Sequence, residues 1–246
     1  MVLPTVVVIG AMKCGTSALH EHLDRHPAIA MAPEKELNFF FGPDQPPNDD
    51  PATWWRWGQW HRGVDWYGSR FDDRYAVRGE SSPGYTDPAH PDVAERMAAI
   101  VPGVRIMYLV RDPLERALSQ WHHHRRDGTE NRAADAALLD PDSHYIARSR
   151  YHERLEPFLA HFPLEQVLVI VQERLLTDRR RQLAAAFAHA GADPAFWSPD
   201  LDRLVHVGDR DGAPAPAELR AAFDERVGDD VARLRLLLDD GLPEWG

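Results

Sequence analysis

The sequence predicts an α/β fold, a parallel sheet flanked by helices, and two observations carry that prediction. Four short runs, at 5–9, 75–78, 104–110 and 167–171, are apolar and rich in β-branched residues, as strands buried on both faces are. Between them lie segments with helical spacing, and strands alternating with helices need crossover connections that leave the strands parallel. With 246 residues, 43% of them hydrophobic, the chain can bury a sizeable core, and one domain spanning 1–246 is expected.

The first element is the run Val6-Val7-Val8-Ile9, followed by a Gly-bounded turn, Gly10-Ala11-Met12-Lys13-Cys14-Gly15. Thr16 and Ser17 are capping residue types, and a helix can run from there to about residue 25, ahead of Pro27. A helix start after a glycine-containing loop presents free N–H groups and the positive end of a dipole, and Lys13 adds a full charge. This is an anion site in outline. It is not a Walker A loop, because the lysine precedes Gly15 instead of standing directly before the Ser/Thr. An ordinary strand–helix turn with a solvent-facing lysine would use the same residue types.

After that helix comes Pro33-Glu34-Lys35-Glu36-Leu37-Asn38-Phe39-Phe40. A carboxylate here could take the proton of an attacking hydroxyl, or the three charges could form a solvated cluster. Residues 42–50 are rich in Pro, Asp and Asn, and a stretch dense in tryptophan follows, with Trp54, Trp55, Trp57, Trp60 and Trp66. We expect 42–74 to be an insertion on the substrate side. Its aromatic rings suit either stacking on an acceptor or packing of a small helical unit.

The strand at 104–110 runs into Arg111-Asp112-Pro113, with Pro113 at a first helical position, and a helix over 114–126 that gathers Leu114, Ala117, Leu118 and Trp121 on one face. Arg111 then sits at the carboxyl end of a strand, where open α/β sheets bind ligands. Ser119 falls outside the apolar stripe. His122-His123-His124 cannot converge on one ion, since consecutive helical residues point about 100° apart. Further helices are expected at 151–162 and 182–190. A Gly/Pro/Asp loop at 207–216 then precedes two final helical segments.

The net charge of −11 argues against a general nucleic-acid binder, although a cleft in an acidic protein can still be locally basic. The single cysteine, Cys14, excludes an intrachain disulfide and fits a reducing compartment. A helix start by itself lowers a thiol pKa, but nothing else marks Cys14 as a nucleophile. The opening apolar run is too short to cross a membrane and lacks the flanks of a signal peptide, so a cytoplasmic location is expected.

Taken together, these motifs resemble the sulfotransferases that use 3′-phosphoadenosine 5′-phosphosulfate (PAPS), in the branch of the heparan sulfate enzymes and their bacterial homologues. Lys13-Cys14-Gly15-Thr16-Ser17 is similar to that family's 5′-phosphosulfate loop. Arg111-Asp112-Pro113, Arg116 and Ser119 match its 3′-phosphate pattern. The resemblance implies a P-loop NTPase-like sulfotransferase fold, nucleotide contacts from the 13–17 loop, Arg111 and Ser119, and a charge-stabilising role for Lys13. By position it implies Glu36 as the base, with Glu34 a displaced second candidate. It assigns Arg116 a structural role, with Asp112 as a partner, and Arg210, in the loop after His206, a nucleotide contact. Gly63-Val64-Asp65-Trp66-Tyr67, Gly79-Glu80-Ser81-Ser82-Pro83-Gly84-Tyr85 and Tyr151 with Leu155 extend the likeness, which is weakest across 42–58 and 133–149 and near the end. Two positions depart from it. Asn38 stands where the family often has His, and Ser81 where heparan sulfate enzymes often have Lys.

The implied reaction is sulfuryl transfer from PAPS to an acceptor hydroxyl by in-line displacement without a metal. A phosphate-loop nucleotide kinase would instead need Mg2+ and a lysine directly before the Ser/Thr, which this chain lacks, and a non-catalytic PAPS-binding module would bind the nucleotide without transfer.

Overall fold

The structure, a computed structural model, describes residues 2–202 and 215–245. The centre of the sheet is β1 (Val6–Gly10), whose five residues are all buried. It lies between β3 (Val77–Ser81) and β4 (Arg105–Val110) and runs parallel to both. The edge positions belong to β2 (Ile29–Met31), beside β3, and β5 (Val167–Val171), beside β4. The order β2-β3-β1-β4-β5 is parallel throughout, so every strand discharges its following loop at the same edge.

Three of the expected strands are present within a residue or two, and the exceptions have physical causes. β2 was not anticipated, because three residues are too few to show a period. β3 lies further along than the 75–78 run and takes in Gly79, Glu80 and Ser81, residues ill suited to strands by type. Pairing with β1, where Val7 stands opposite Glu80, overrides that preference.

The helices pack on this sheet through apolar residues. Thr16–Asp24 buries Leu19 and Leu23, Pro113–Arg126 buries Leu114 and Ala117, and Tyr151–Leu159 buries Leu155 and Phe158. The chain ends on one continuous helix, Ala217–Leu238, and a short turn at Pro243–Trp245, not on two helices. Gly228 and the acidic pair after it weaken the helical pattern, but Asp230 is used inside the fold. Its carboxylate accepts the N–H groups of His152 (3.0 Å) and Glu153 (2.8 Å), capping the start of a neighbouring helix.

The expected pairing of Arg116 with Asp112 is corrected. Asp112 accepts the N–H of Glu115 at 2.9 Å and pairs with Arg220 at 2.8 Å, from the C-terminal helix. Arg116, fully buried, donates instead to Ser149 Oγ (2.7 Å), Gln120 Oε1 (2.7 Å) and the Tyr145 carbonyl (2.6 Å). Its role is structural, as expected, but through neutral acceptors. No helix among the described residues is long and apolar enough to cross a membrane.

The tryptophan segment is anchored by Gly58. With φ at 89°, this residue lies so close to Phe41 that an added Cβ would sit 2.2 Å from the Phe41 carbonyl oxygen. Gly58→Ala is therefore expected to lower stability by about 1–3 kcal/mol, the usual cost of forced overpacking, read from urea unfolding. An unchanged midpoint would refute this contact.

Candidate active site

The loop leaving β1 has the backbone of an anion cradle. Lys13 is left-handed, with φ at 69°. Gly15, with φ at 89°, is the N-cap of the helix Thr16–Asp24 and supplies no side-chain cap. Thr16 and Ser17 are thus the first helical residues, not the caps their types suggested. The first intrahelical bond runs from Leu19 N–H to Gly15 C=O (3.1 Å), so the N–H groups of Thr16, Ser17 and Ala18 have no helical acceptor. A Cβ on Gly15 would lie 3.3 Å from Gln172 Nε2, so the loop's path is tight as well as left-handed.

Positive charge gathers at this loop. The pKa of Lys13 is pushed down, first by burial and then by the nearby guanidinium groups of Arg126 and Arg111. Cations crowded in this way are relieved by a bound anion. Arg111 stands at the end of β4, and the Tyr151 hydroxyl donates to its carbonyl at 2.8 Å. Its guanidinium reaches Glu115 Oε2 at 3.3 Å, and Ser119, half-buried, is one turn beyond Glu115 on that helical face. The structure therefore brings Lys13, Arg111 and Arg126 into one cationic region, with Ser119 along its wall. Arg126 was legible only as part of a basic helix end. Arg210, and most of the loop expected at 207–216, fall outside the described residues.

Cys14 behaves differently from a helix-start thiol. Its side chain is fully buried, with Sγ 3.6 Å from the Tyr151 hydroxyl, and burial raises its pKa to about 11. Desolvation outweighs the helix start, so the thiol is inert and Cys14 serves the loop through its backbone and packing.

The acceptor-side candidates follow β2, two strands from the loop of β1. Glu36 has φ at 64°, its N–H bonds the Ser81 carbonyl at the end of β3 (2.9 Å), and its carboxylate accepts Lys35 Nζ at 2.9 Å. It lines a cleft of about 540 Å3 together with Lys35, Trp55, Arg62, Trp66 and Arg70. Glu34 shares this cleft but is engaged by Arg70 at 3.4 Å. Arg62 stacks over the Trp66 ring at 4.1 Å, and burial followed by the like charge of Arg70 lowers its pKa. The tryptophans divide between packing and the cleft wall. Trp60 and Trp66 pack on Phe39, whereas Trp55 and Trp66 face the cleft.

Asn38 is buried and donates to the Trp55 carbonyl at 2.7 Å, holding the tryptophan segment to the Glu36 turn. At the same edge, His20 Nδ1 lies 3.0 Å from Ser81 Oγ, and burial and Lys35 lower its pKa. His20 carried no sequence signal, being one polar residue in a short helical pattern. The three successive histidines diverge: His122 packs on Trp121, His123 lies 3.3 Å from Asp127, and His124 Nδ1 lies 3.0 Å from the Tyr145 hydroxyl.

The buried thiol yields a direct check. Iodoacetamide at pH 8.5 should leave Cys14 unmodified in the folded protein and label it fully in urea, as mass spectrometry would read. Rapid labelling of the native protein would contradict the geometry.

The comparisons with known proteins fit this arrangement. The model of the Sulfotransferase family matches residues 4–198. Heparan sulfate glucosamine 3-O-sulfotransferase 5 of Homo sapiens is 30% identical over 189 residues, covering 72% of this chain and 50% of that protein. The chain thus spans about half the length of this curated relative. A crystal structure of a sulfotransferase from Alicyclobacillus acidocaldarius superposes with a TM-score of 0.75 at 27% identity, covering 100% of this chain and 99% of that one. Mouse sulfotransferase SULT7A1 complexed with PAP shares the fold, with a TM-score of 0.56 at 16% identity over 93% of this chain and 85% of its own. With its P-loop NTPase-like parallel sheet, its basic strand-to-helix turn and a family match over most of its length, this chain belongs to the sulfotransferase family.

Proposed function

We propose that the chain transfers a sulfuryl group from PAPS to an acceptor hydroxyl, within one domain spanning 1–246. One observation carries this reading: the cationic loop of β1 and the Glu36 cleft open at the same edge of the sheet, with β3 between them. A dianionic nucleotide end has somewhere to bind, and a carboxylate stands on the side from which an attacking hydroxyl would come.

In this reading Lys13 and the N–H groups of Thr16 and Ser17 hold the phosphosulfate, with Cys14 and Gly15 shaping the turn. Arg111 and Ser119 hold the 3′-phosphate. The planar guanidinium suits a phosphate because it can donate two charge-assisted hydrogen bonds. The acceptor oxygen bonds to sulfur as the bond from sulfur to the bridging phosphate oxygen breaks. Glu36 takes the hydroxyl proton, and Lys13 meets the charge that builds on the leaving oxygen. A preorganised donor of that kind can contribute about 3 kcal/mol to the transition state.

Metal independence is part of the proposal, supported by the three basic side chains that already supply positive charge at the loop. A saccharide is the acceptor class we put first, because curated relatives bear names of heparan sulfate sulfotransferases and the cleft offers aromatic faces beside cations. Cytoplasmic action is likewise proposed, in keeping with a lone cysteine that is buried as a free thiol.

Calorimetry with adenosine 3′,5′-bisphosphate (PAP) tests the donor site. Lys13→Ala should weaken PAP at least about tenfold, whereas Glu36→Gln should leave PAP affinity within about twofold yet cut sulfuryl transfer at least about a hundredfold. Transfer should persist in a chelator. Failure of the wild-type chain to bind PAP would overturn the reading.

The lowered pKa of Lys13 also sets a pH dependence. A bound anion raises that pKa again, so PAP affinity is full below the free-protein value and falls as pH rises through it toward the bound value. Affinities measured between pH 7 and pH 10 should show this loss in the wild type and a flatter course in Lys13→Arg. Identical profiles would remove Lys13 from the contact.

A further inference from the structure

We propose that Glu80 is the positioning residue for the acceptor-side carboxylate, holding the Glu36–Asn38 turn in place through the hydroxyls of Ser82 and Tyr85. This builds on the role assigned above to Glu36 and explains how that role is maintained.

The turn needs to be held. Glu36 and Asn38 both have left-handed backbones, with φ at 64° and 49°. For residues other than glycine such a conformation is sterically costly and persists only where the surroundings impose it. The hydrogen bonds of the turn show what imposes it. Glu36 N–H bonds the Ser81 carbonyl (2.9 Å), and Gln59 takes up the carbonyls of Leu37 (Nε2, 2.7 Å) and Asn38 (backbone N–H, 2.9 Å). Two further N–H groups find hydroxyls: Asn38 donates to Ser82 Oγ and Phe39 to the Tyr85 hydroxyl, each at 3.0 Å.

Both hydroxyls end on one carboxylate. Ser82 Oγ donates to Glu80 Oε2 at 2.6 Å and the Tyr85 hydroxyl to Oε1 at 2.5 Å, while the Tyr67 hydroxyl adds a third donation to Oε1 at 3.1 Å. A hydroxyl has a single proton. Once it is committed to a carboxylate, the oxygen is fixed and polarised as an acceptor for the backbone N–H behind it. Glu80 thus orients two acceptors at once, although it touches neither the turn nor the cleft.

Glu80 is fully buried, and burial raises its pKa, so the site bears a cost that a neutral residue would avoid. The three hydroxyl donors and the positive charge of Lys35 act in the opposite direction and favour the carboxylate. Glutamine in its place would present an amide donor to at least one of these hydroxyls. That hydroxyl would have to turn, and its hold on the backbone would be lost.

The test reads the turn itself. In Glu80→Gln, amide hydrogen exchange should quicken at least tenfold at Asn38 and Phe39 but stay unchanged in β1, and PAP affinity by calorimetry should remain within twofold of wild type. Transfer should lose at least tenfold in kcat with little change in the KM for PAPS. Should Glu80→Gln fail to fold, Ser82→Ala is expected to free the Asn38 amide alone and Tyr85→Phe the Phe39 amide alone. Unchanged exchange at both amides, or a rise spread equally over β1, would overturn the proposal. Because exchange is read without any acceptor, that outcome is distinct from a chain that binds PAP poorly or transfers nothing.

Discussion

β1 has no exposed residue, and the rest of the molecule is arranged around that constraint. A central strand enclosed by neighbours on both edges and helices on both faces can carry no chemistry of its own. Whatever reacts must stand in the turns beyond its carboxyl end and those of its neighbours. Because all five strands are parallel, those turns share one rim of the sheet, and residues far apart in the chain meet there. The turns also divide the labour. Those after β1 and β4 are basic, and those after β2 and β3 carry carboxylates and hydroxyls.

The two sides are built on different physics. On the basic side, backbone N–H groups at a helix start lie beside Lys13, whose pKa is lowered by burial and then by the neighbouring charges of Arg126 and Arg111, an arrangement that favours an anion. On the acidic side, left-handed residues are kept in place by buried hydroxyls that all resolve on one carboxylate. The former is an electrostatic reservoir and the latter a mechanical brace. Each is rooted in its own strand, so they are separable by substitution.

What was legible in the sequence follows from the same division. The turn around Lys13 and the run from Arg111 to Ser119 are local patterns, a strand feeding a helix through a few residues, and local patterns survive in one dimension. β2 was too short to read, and Glu80 gave no sign of its importance. Its partners Tyr67 and Ser82 stand on either side of it in the chain, and nothing in that spacing reveals that their hydroxyls converge on its carboxylate. Arg116 and Asp112 are expected as a pair from the motif they share. The fold separated them by offering Asp112 a partner 108 positions away and enclosing Arg116 among neutral acceptors. Gly15, not Thr16 or Ser17, is the N-cap, because the loop turns through a left-handed conformation there that glycine adopts without steric cost.

The Tyr151 hydroxyl, described above only as a contact, ties the two basic turns together, since it reaches Cys14 Sγ in one and the Arg111 carbonyl in the other. One atom shared in this way acts as a gauge block. The gap between the two basic turns becomes a set length, so under the proposed function a molecule would be selected by the separation of its charges and not only by their number.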